Sequence, residues 1–282
     1  MLLSTFIHES TQALSALYPS PEARGMVLML CEERLGVRSW THIVEPEREI
    51  PDEALAGLEE DMDALLHWTP IQYVLGFADF YGLRFTVDPS VLIPRPETEL
   101  LVKEAVTAGL SLGRAPRVLD LCTGSGCIAW SVQKEIPDAE VVALDISDSA
   151  LALARSQFAP EGPLFLKADV LDTGQDFPYG RFDLILSNPP YVMEKEKAEM
   201  RRNVLDHEPS LALFVADDDP LLFYRAIARW AERLLVPGGT GIVEINEALG
   251  EETAELFRAS GFRDVSIIKD LSGRFRMVRF SA

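Results

Sequence analysis

The sequence has only three cysteines in 282 residues and no long uninterrupted apolar run. Three cysteines cannot form a disulfide framework, and free thiols are typical of proteins in a reducing compartment. The absence of about 18 consecutive uncharged apolar residues predicts that no helix crosses a membrane. The opening stretch, MLLSTFIHES, lacks the basic start of a secretory signal peptide. These absences predict a cytoplasmic protein with no membrane partner.

Basic residues are also scarce. There are 26 lysines and arginines against 45 acidic residues, which gives a formal net charge of −19. Residues 1–90 contain 15 acidic residues, five arginines and no lysine, a net charge of −10. Because proteins that bind phosphates usually carry a basic patch, we expect no direct nucleic-acid binding. The acidic first third either keeps the protein soluble or meets a basic protein partner.

The composition is that of an ordinary globular protein, with 48% apolar and 25% charged residues. A length of 282 residues predicts one or two domains. Residues 1–75 are predicted to form a small helical domain, with one helix starting at Ser20 and a buried apolar stripe over residues 55–66. Aromatic and β-branched residues around Gly82 predict a hairpin, so residues 76–95 are predicted to be a hairpin linker. Several prolines end this linker.

Residues 96–282 alternate between helical and strand patterns. This alternation predicts an α/β domain, with a parallel sheet covered by helices on both faces. Ligands of such sheets bind at the carboxyl ends of the strands. The predicted strands are 117–121, 141–144, 164–167, 182–186, 241–245, 265–268 and 275–280.

A glycine-rich turn follows the first of these strands, in the run Asp120-Leu-Cys-Thr-Gly-Ser-Gly-Cys-Ile-Ala129. From Gly124 it matches the G-x-G-x-x-A nucleotide fingerprint, and Asp145 ends the next strand, where it could hold a ribose. Asp120 would repel a pyrophosphate but suits a cationic ligand such as S-adenosylmethionine, and we expect it to organise the turn. Asp169, at the next strand end, could accept a hydrogen bond from an adenine amino group.

The strand 182–186 leads into Ser187-Asn188-Pro189-Pro190-Tyr191, which is the most specific motif in the chain. The prolines have no backbone donors, so their carbonyls remain acceptors, as does the Asn188 side-chain oxygen. Tyr191 adds a flat aromatic face. Two acceptors beside an aromatic wall suit a planar –NH2 group, and could aim its nitrogen lone pair at a methyl donor.

These motifs resemble those of class I S-adenosylmethionine-dependent methyltransferases that act on planar nitrogens. The whole chain resembles the HemK/PrmC family, the peptide-chain release factor glutamine N5-methyltransferases. The stretches that carry this resemblance are Pro70-Ile-Gln-Tyr-Val-Leu-Gly76, Val91-Leu-Ile-Pro-Arg-Pro-Glu-Thr-Glu99, Asp120 to Ala129, Ser187 to Tyr191 and Glu208-Pro-Ser-Leu-Ala-Leu213.

The resemblance implies a five-helix substrate-recognition domain, a hairpin linker and a Rossmann-like methyltransferase domain. It also implies methyl transfer to the glutamine of the Gly-Gly-Gln motif of class I release factors in translation termination, with S-adenosyl-L-homocysteine as the second product and no metal. The implied cofactor-binding residues are Cys122, Thr123, Gly124, Ser125, Gly126, Asp145, Asp169, Val170 and Asn188. The implied catalytic and substrate-binding residues are Asn188, Pro189, Pro190 and Tyr191.

Three places depart from the family pattern. Cys122 stands where glycine is common, and Val170 stands where some members have tryptophan. The stretch Glu244-Ile-Asn-Glu-Ala-Leu lacks the glycine and glutamine often seen after that glutamate. Other functions stay open at this point. A glutamine methyltransferase of a ribosomal protein would share the same motif. A DNA or RNA amino-methyltransferase is opposed by the charge, and a nicotinamide-dependent dehydrogenase leaves Asn188 to Tyr191 unexplained. A protein that only binds S-adenosylmethionine and docks on translation factors is a further alternative.

Overall fold

A computed structural model describes residues 1–158, 161–270 and 272–282. Its contacts divide the chain into two compact units. Unit 1 comprises Met1–Phe77 together with Arg201–His207, and unit 2 comprises Ala78–Met200 together with Glu208–Ala282. The segment Arg201–His207, which the sequence placed within residues 96–282, is thus grouped with the helical unit. No helix in these ranges has the length and apolar character needed to cross a bilayer.

Unit 1 is helical, as predicted. Its helices are α1 (Leu3–Leu14), α2 (Ser20–Leu35), α3 (Thr41–Val44), α4 (Asp52–Leu66), α5 (Ile71–Leu75) and, later in the chain, α9 (Arg202–Leu205). Helix α2 begins directly after Pro19, so Ser20 is its first residue and makes no side-chain cap, and Gly36 ends the helix in a left-handed conformation. The α4 stripe buries Leu58, Met62 and Leu65 in the core of this unit.

Unit 2 contains the sheet. Its helices are α6 (Glu99–Ser111), α7 (Cys127–Glu135), α8 (Asp148–Ser156), α10 (Ser210–Leu213), α11 (Leu222–Leu234) and α12 (Gly250–Ala259). The strands of the chain are β1 (Phe77–Phe80), β2 (Leu83–Thr86), β3 (Arg117–Leu121), β4 (Glu140–Asp145), β5 (Leu164–Lys167), β6 (Phe182–Ser187), β7 (Val192–Met193), β8 (Phe214–Val215), β9 (Leu235–Glu244), β10 (Arg263–Lys269) and β11 (Phe275–Ser281). Strands β1 and β2 form the predicted hairpin.

Seven strands form the main sheet in the order β10-β11-β9-β6-β3-β4-β5. Strands β5, β4, β3, β6 and β9 are parallel, and β11 runs against both of its neighbours. This is the sheet of class I methyltransferases, so the predicted fold class is confirmed. The sheet extends in both directions from β3: β4 and β5 follow on one side, and β6 and β9 follow on the other. A crevice therefore opens beyond the carboxyl ends of these strands.

Alternating side chains along each strand supply two hydrophobic cores, one on each face of the sheet. Val118 of β3 and Leu184 of β6 pack with helices α6 and α7 in the first core. Leu119 and Ile185, their neighbours in sequence, pack with α11 and α12 in the second. Because both faces are covered, the central strands β3, β4 and β6 are largely apolar, and the few polar residues near their carboxyl ends stand out.

Candidate active site

A cavity of about 350 Å³ lies at the carboxyl ends of β3, β4, β5 and β6. Its walls also include the segment before α6 and the residues around α10. All of its lining residues belong to unit 2: Pro89, Ser90, Val91, Leu92, Pro94, Arg95, Thr98, Cys122, Thr123, Gly124, Ser125, Cys127, Ile128, Leu144, Asp145, Ile146, Ser147, Ser149, Ala150, Ala168, Asp169, Val170, Leu171, Asn188, Pro190, Pro209, Leu211, Ala212 and Phe223.

The glycine loop, residues 122–126, connects β3 to α7 and borders this cavity. Asp145 at the end of β4 binds the loop, because its Oδ2 accepts from the Gly124 amide at 2.8 Å while its Oδ1 accepts from the Ser147 amide at 2.9 Å. The Thr123 amide donates to the Leu144 carbonyl at 2.9 Å. Burial raises the pKa of Asp145, and the backbone hydrogen bonds oppose this shift. The loop is therefore held against β4 through two of its own backbone amides, one bound to the Asp145 carboxylate and one to the Leu144 carbonyl.

Three residues of the loop have left-handed backbone angles: Cys122 (φ 61°), Gly124 (φ 54°) and Gly126 (φ 79°). Glycine adopts this region without steric cost, whereas cysteine does not. A Cβ on Gly124 would meet no protein atom within 4 Å, but one on Gly126 would lie 3.1–3.2 Å from three side chains. Gly124 thus leaves room for a ligand, and Gly126 allows close packing of the loop on the protein.

Asp120 lies beneath this loop and is completely buried. Its Oδ2 accepts a hydrogen bond from the Thr123 hydroxyl at 2.6 Å. Burial raises the pKa of Asp120 to about 7, against the opposing effect of that hydrogen bond. Asp120 does not line the cavity, which agrees with a role in organising the loop.

Two free cysteines lie at the glycine loop, Cys122 within it and Cys127 at the start of α7. Burial raises the pKa of the Cys127 thiol to about 12 and also raises that of Cys122, so both remain protonated. Within the described residues, no group of three or more histidine, cysteine, aspartate or glutamate side chains could hold a metal ion.

The Asn-Pro-Pro-Tyr segment, residues 188–191, follows β6 on the opposite side of β3 from Asp145. Asn188 is half-buried, and its Nδ2 lies 3.2 Å from Thr98 Oγ1. The Tyr191 hydroxyl donates to Glu244 Oε1 at 2.9 Å, and the Tyr191 carbonyl accepts from Asn246 Nδ2 at 3.2 Å. We call residues 188–191 the amide clamp. Long-range side-chain hydrogen bonds hold both of its ends.

Glu244, at the end of β9, joins these contacts. It is 1% exposed, and its Oε2 accepts from the Thr98 hydroxyl at 2.6 Å while its Oε1 accepts from Tyr191. Burial raises the pKa of Glu244, and the two hydroxyl hydrogen bonds counteract this shift. Burial and the neighbouring Glu244 raise the pKa of Tyr191 well above its usual value, so the phenol remains a donor.

The structure brings most of the sequence-predicted site residues to one place. Those that line the cavity are Cys122, Thr123, Gly124, Ser125, Asp145, Asp169, Val170, Asn188 and Pro190. Gly126, Pro189 and Tyr191 lie directly next to lining residues but outside the lining itself. The sequence reasoning did not identify Thr98 and Glu244 as members of the site. The sequence contains a feature that could have identified each of them. Thr98 belongs to the Pro-Arg-Pro-Glu-Thr-Glu stretch, and Glu244 is an isolated carboxylate at the end of an apolar strand segment.

An ion pair closes another wall of the cavity. Arg95, which lines the cavity, donates to Glu208 Oε1 at 2.5 Å, and Glu208 Oε2 accepts from the Ile93 amide at 3.1 Å. The Glu208 side chain is 1% exposed. The pair joins two sequence stretches that are far apart in the chain, and it engages the charge of Arg95, the one basic residue among the described lining residues.

Comparison with known proteins gives consistent matches over most of the chain. The family description "PrmC N-terminal domain" matches residues 6–76, and "Methyltransferase small domain" matches residues 96–209. A relative from Bacteroides thetaiotaomicron, named release factor glutamine methyltransferase, is 42% identical over 95% of both chains. A relative of the same name from Flavobacterium psychrophilum is 38% identical over 99% of both.

A solved structure agrees in fold. The crystal structure of a methyltransferase from Pyrococcus furiosus has a TM-score of 0.50 and 17% sequence identity, covering 79% of this chain and 98% of that one. At this identity the likeness concerns the fold alone.

Proposed function

The chain belongs to the family of release factor glutamine methyltransferases, and from this premise we propose how its residues perform the reaction. It is a methyltransferase. We assign it methyl transfer from S-adenosylmethionine to the side-chain nitrogen N5 of the glutamine in the Gly-Gly-Gln motif of class I release factors, acting in the cytoplasm. The observation that carries this assignment is that the glycine loop and the amide clamp border one cavity.

The donor set of the cavity fits S-adenosylmethionine better than a dinucleotide. Asp145 and Asp169 place two carboxylates in the lining, and the charge of Arg95 is engaged by Glu208. A pyrophosphate would find no unpaired cation among the described residues of the lining, whereas a ligand with an ammonium and a sulfonium group would be attracted to the carboxylates. The open space beside Gly124 accommodates such a ligand close to the backbone.

We propose specific roles for the residues of this cavity. Asp145 would accept hydrogen bonds from the ribose hydroxyls, Asp169 would accept from the adenine amino group, and Val170 would form an apolar wall against the adenine ring. The backbone of residues 122–126 would enclose the remainder of the cofactor. When bound, S-adenosylmethionine supplies an electrophilic methyl group.

The amide clamp would act on the glutamine side chain. An amide nitrogen is a weak nucleophile because its lone pair is delocalised into the carbonyl. Asn188 Oδ1 and a proline carbonyl of the clamp would each accept one hydrogen of the –NH2 group, with Tyr191 beside its flat face. These contacts strengthen as the lone pair localises on nitrogen, so they favour the transition state over the ground state. The nitrogen then loses a proton to solvent.

Replacement of Asn188 tests the clamp. Asn188→Ala should lower kcat for release factor by about 10²–10³-fold, the usual cost of removing one preorganised transition-state contact. The affinity for S-adenosylmethionine, measured by calorimetry, should change far less. Tritiated methyl transfer to release factor, to ribosomal protein and to DNA would be measured side by side, with a release factor lacking the Gly-Gly-Gln glutamine as control. A wild-type rate for Asn188→Ala would remove Asn188 from the mechanism.

We also propose that the domains divide this work, with residues 1–75 recognising the release factor, residues 76–95 linking, and residues 96–282 performing methyl transfer. The support is the acidic surface of unit 1, where Glu59 and Glu60 are exposed on α4. The double variant Glu59→Gln, Glu60→Gln should raise KM for intact release factor, and the effect should shrink at high salt. The matched variant Glu251→Gln, Glu252→Gln changes exposed acids of α12 and should leave KM unchanged. Equal effects of both pairs would refute recognition by unit 1.

A further inference from the structure

We propose that Thr98 and Glu244 are positioning residues for methyl transfer, because together they set which end of the Asn188 amide faces the substrate. This inference deepens the proposed function and rests on it, since it concerns the orientation of the group assigned to the substrate amide. Neither residue needs to touch the substrate or the cofactor for this role.

The side chains of Glu244, Thr98 and Asn188 form a hydrogen-bonded chain of three groups. Glu244 Oε2 lies 2.6 Å from Thr98 Oγ1, and Thr98 Oγ1 lies 3.2 Å from Asn188 Nδ2. Glu244 and Thr98 are 1% and 2% exposed, so bulk water does not compete for these contacts. A residue just before α6, a residue just after β6 and the last residue of β9 thus meet at the carboxyl ends of the strands.

The number of available protons determines the direction of every bond in this chain. An ionised carboxylate only accepts, so Glu244 requires the single proton of the Thr98 hydroxyl. Thr98 Oγ1 then has only lone pairs left to offer Asn188, and can accept from its –NH2 but cannot donate to its carbonyl. The two ends of an asparagine amide have nearly the same shape, so its orientation depends on such a network. Here the network turns Nδ2 toward Thr98 and leaves Oδ1 for the substrate.

The second arm of the carboxylate supports this assignment. Glu244 Oε1 accepts from the Tyr191 hydroxyl at 2.9 Å, so each oxygen of Glu244 meets one hydroxyl group. Two hydroxyl donors are what an ionised carboxylate requires when it is buried. Asn246, two residues after Glu244, donates to the Tyr191 carbonyl at 3.2 Å. The end of β9 therefore holds both ends of the amide clamp, through Thr98 at Asn188 and directly at Tyr191.

A reversed Asn188 would place its –NH2 toward the substrate. Two –NH2 groups would then face each other, and the amide clamp would lose the acceptor needed for catalysis. A buried carboxylate is costly to maintain, and replacing such a group by apolar residues is often neutral or stabilising. We infer that the buried Glu244 carboxylate contributes to methyl transfer by fixing the orientation of the Asn188 amide.

Thr98→Val tests the inference, since it keeps the shape of the side chain and removes the hydroxyl. We expect kcat for release factor to fall by up to about 10²-fold, a loss typical of misplacing a reacting group. KM for release factor and Kd for S-adenosylmethionine should stay near their wild-type values. Thr98→Ser restores the hydroxyl and should recover most of the lost kcat.

A double-mutant cycle separates orientation from general structural support. If Thr98 acts through Asn188, then Thr98→Val should cost almost nothing further in an Asn188→Ala background. An equal loss in both backgrounds, or a wild-type kcat for Thr98→Val, would overturn the inference. A wild-type kcat for Asn188→Ala would instead overturn the proposed function of the clamp, so the two failures are distinguishable.

Should Thr98→Val fail to fold, as judged by thermal melting, Glu244→Gln provides the same test. A glutamine can present either its carbonyl or its –NH2 to Thr98. The donor and acceptor roles in the hydrogen bonds from residue 244 through Thr98 to Asn188 are then no longer determined. We expect Glu244→Gln to lower kcat in the wild-type background and to cost clearly less in the Asn188→Ala background, where only its contact with Tyr191 remains to be disturbed. An additive loss would again overturn the inference.

Discussion

The glycine loop and the amide clamp border the same cavity, but different kinds of contact hold them in place. The loop depends on backbone geometry: left-handed angles at residues 122, 124 and 126, and backbone amides bound to the strand that ends in Asp145. The clamp depends on side chains that are distant in sequence, with Asn188 reaching Thr98 and Tyr191 reaching Glu244. Glycine patterns therefore reveal the loop, whereas the support of the clamp is visible only in three dimensions.

The largest effect should come from filling the space that the loop backbone requires. Gly126→Ala should destabilise the protein by roughly 2–4 kcal/mol, because left-handed strain adds to a Cβ lying 3.1 Å from Ala154 Cβ and from Trp130 Cδ1. Gly124→Ala is the matched control, with the same left-handed strain and no neighbour within 4 Å, and should cost roughly 1–2 kcal/mol. Urea denaturation measures both. Equal losses would show that close packing at Gly126 does not matter.

A somewhat smaller effect should follow from removing Asp145, whose side chain both binds the glycine loop and lines the cavity. Asp145→Ala should weaken S-adenosylmethionine binding by about 1.5–3 kcal/mol, through loss of charge-assisted hydrogen bonds. Asp148→Ala, three residues later and exposed on α8, is the control and should bind normally. Calorimetry measures both affinities. An unchanged affinity for Asp145→Ala would contradict the ribose assignment.

The buried acid beneath the loop predicts a pH dependence. Asp120 binds its proton more tightly in the folded protein, with a pKa of about 7 against an ordinary value of 3.8. Between these two values the folded state holds more protons than the unfolded state, so stability falls as the pH rises. Asp120→Asn removes this slope. Its stability relative to wild type should increase with pH across this window, by at most about 1.4 kcal/mol per pH unit, and level off above pH 7.

Urea denaturation of wild type and Asp120→Asn at several pH values checks this sign. Parallel stability curves for the two proteins would mean that Asp120 has the same proton affinity in both states. Such a result would mean that burial of the Asp120 carboxylate does not affect stability, and that the backbone conformation is the main determinant of the glycine-loop structure.

The smallest effect concerns Cys122, the residue of the glycine loop that has a left-handed backbone angle without being glycine. Its φ of 61° is costly for cysteine, but glycine loses more entropy on folding. Because these contributions oppose each other, Cys122→Gly should change the free energy of unfolding by less than about 1 kcal/mol. Cys122→Val should be clearly destabilising, since β-branched residues avoid left-handed angles. Thermal melting of the two variants compares them, and a tolerated valine would argue against backbone strain here.

Much of the fold could be predicted from the sequence. Alternating patterns identified the seven strands of the main sheet, and the apolar stripe of residues 55–66 identified helix α4. The limits of several elements differ from the prediction. The strand predicted over residues 241–245 begins earlier, at Leu235, and the short pair of strands β7 and β8 was not predicted. Strands of two residues are too short to show a period of their own.

By itself, the sequence determined the glycine loop, the ribose-binding candidate Asp145 and the motif at residues 188–191, because each is encoded locally by residue type and spacing. Tertiary structure alone decided that Glu244 meets Thr98, 146 residues earlier, and that Glu208 meets Arg95, 113 residues earlier. No periodicity connects such positions, since their approach depends on the order of strands in the sheet. The physical reason is that a buried polar group must find its partner in space, wherever the fold brings a donor within reach.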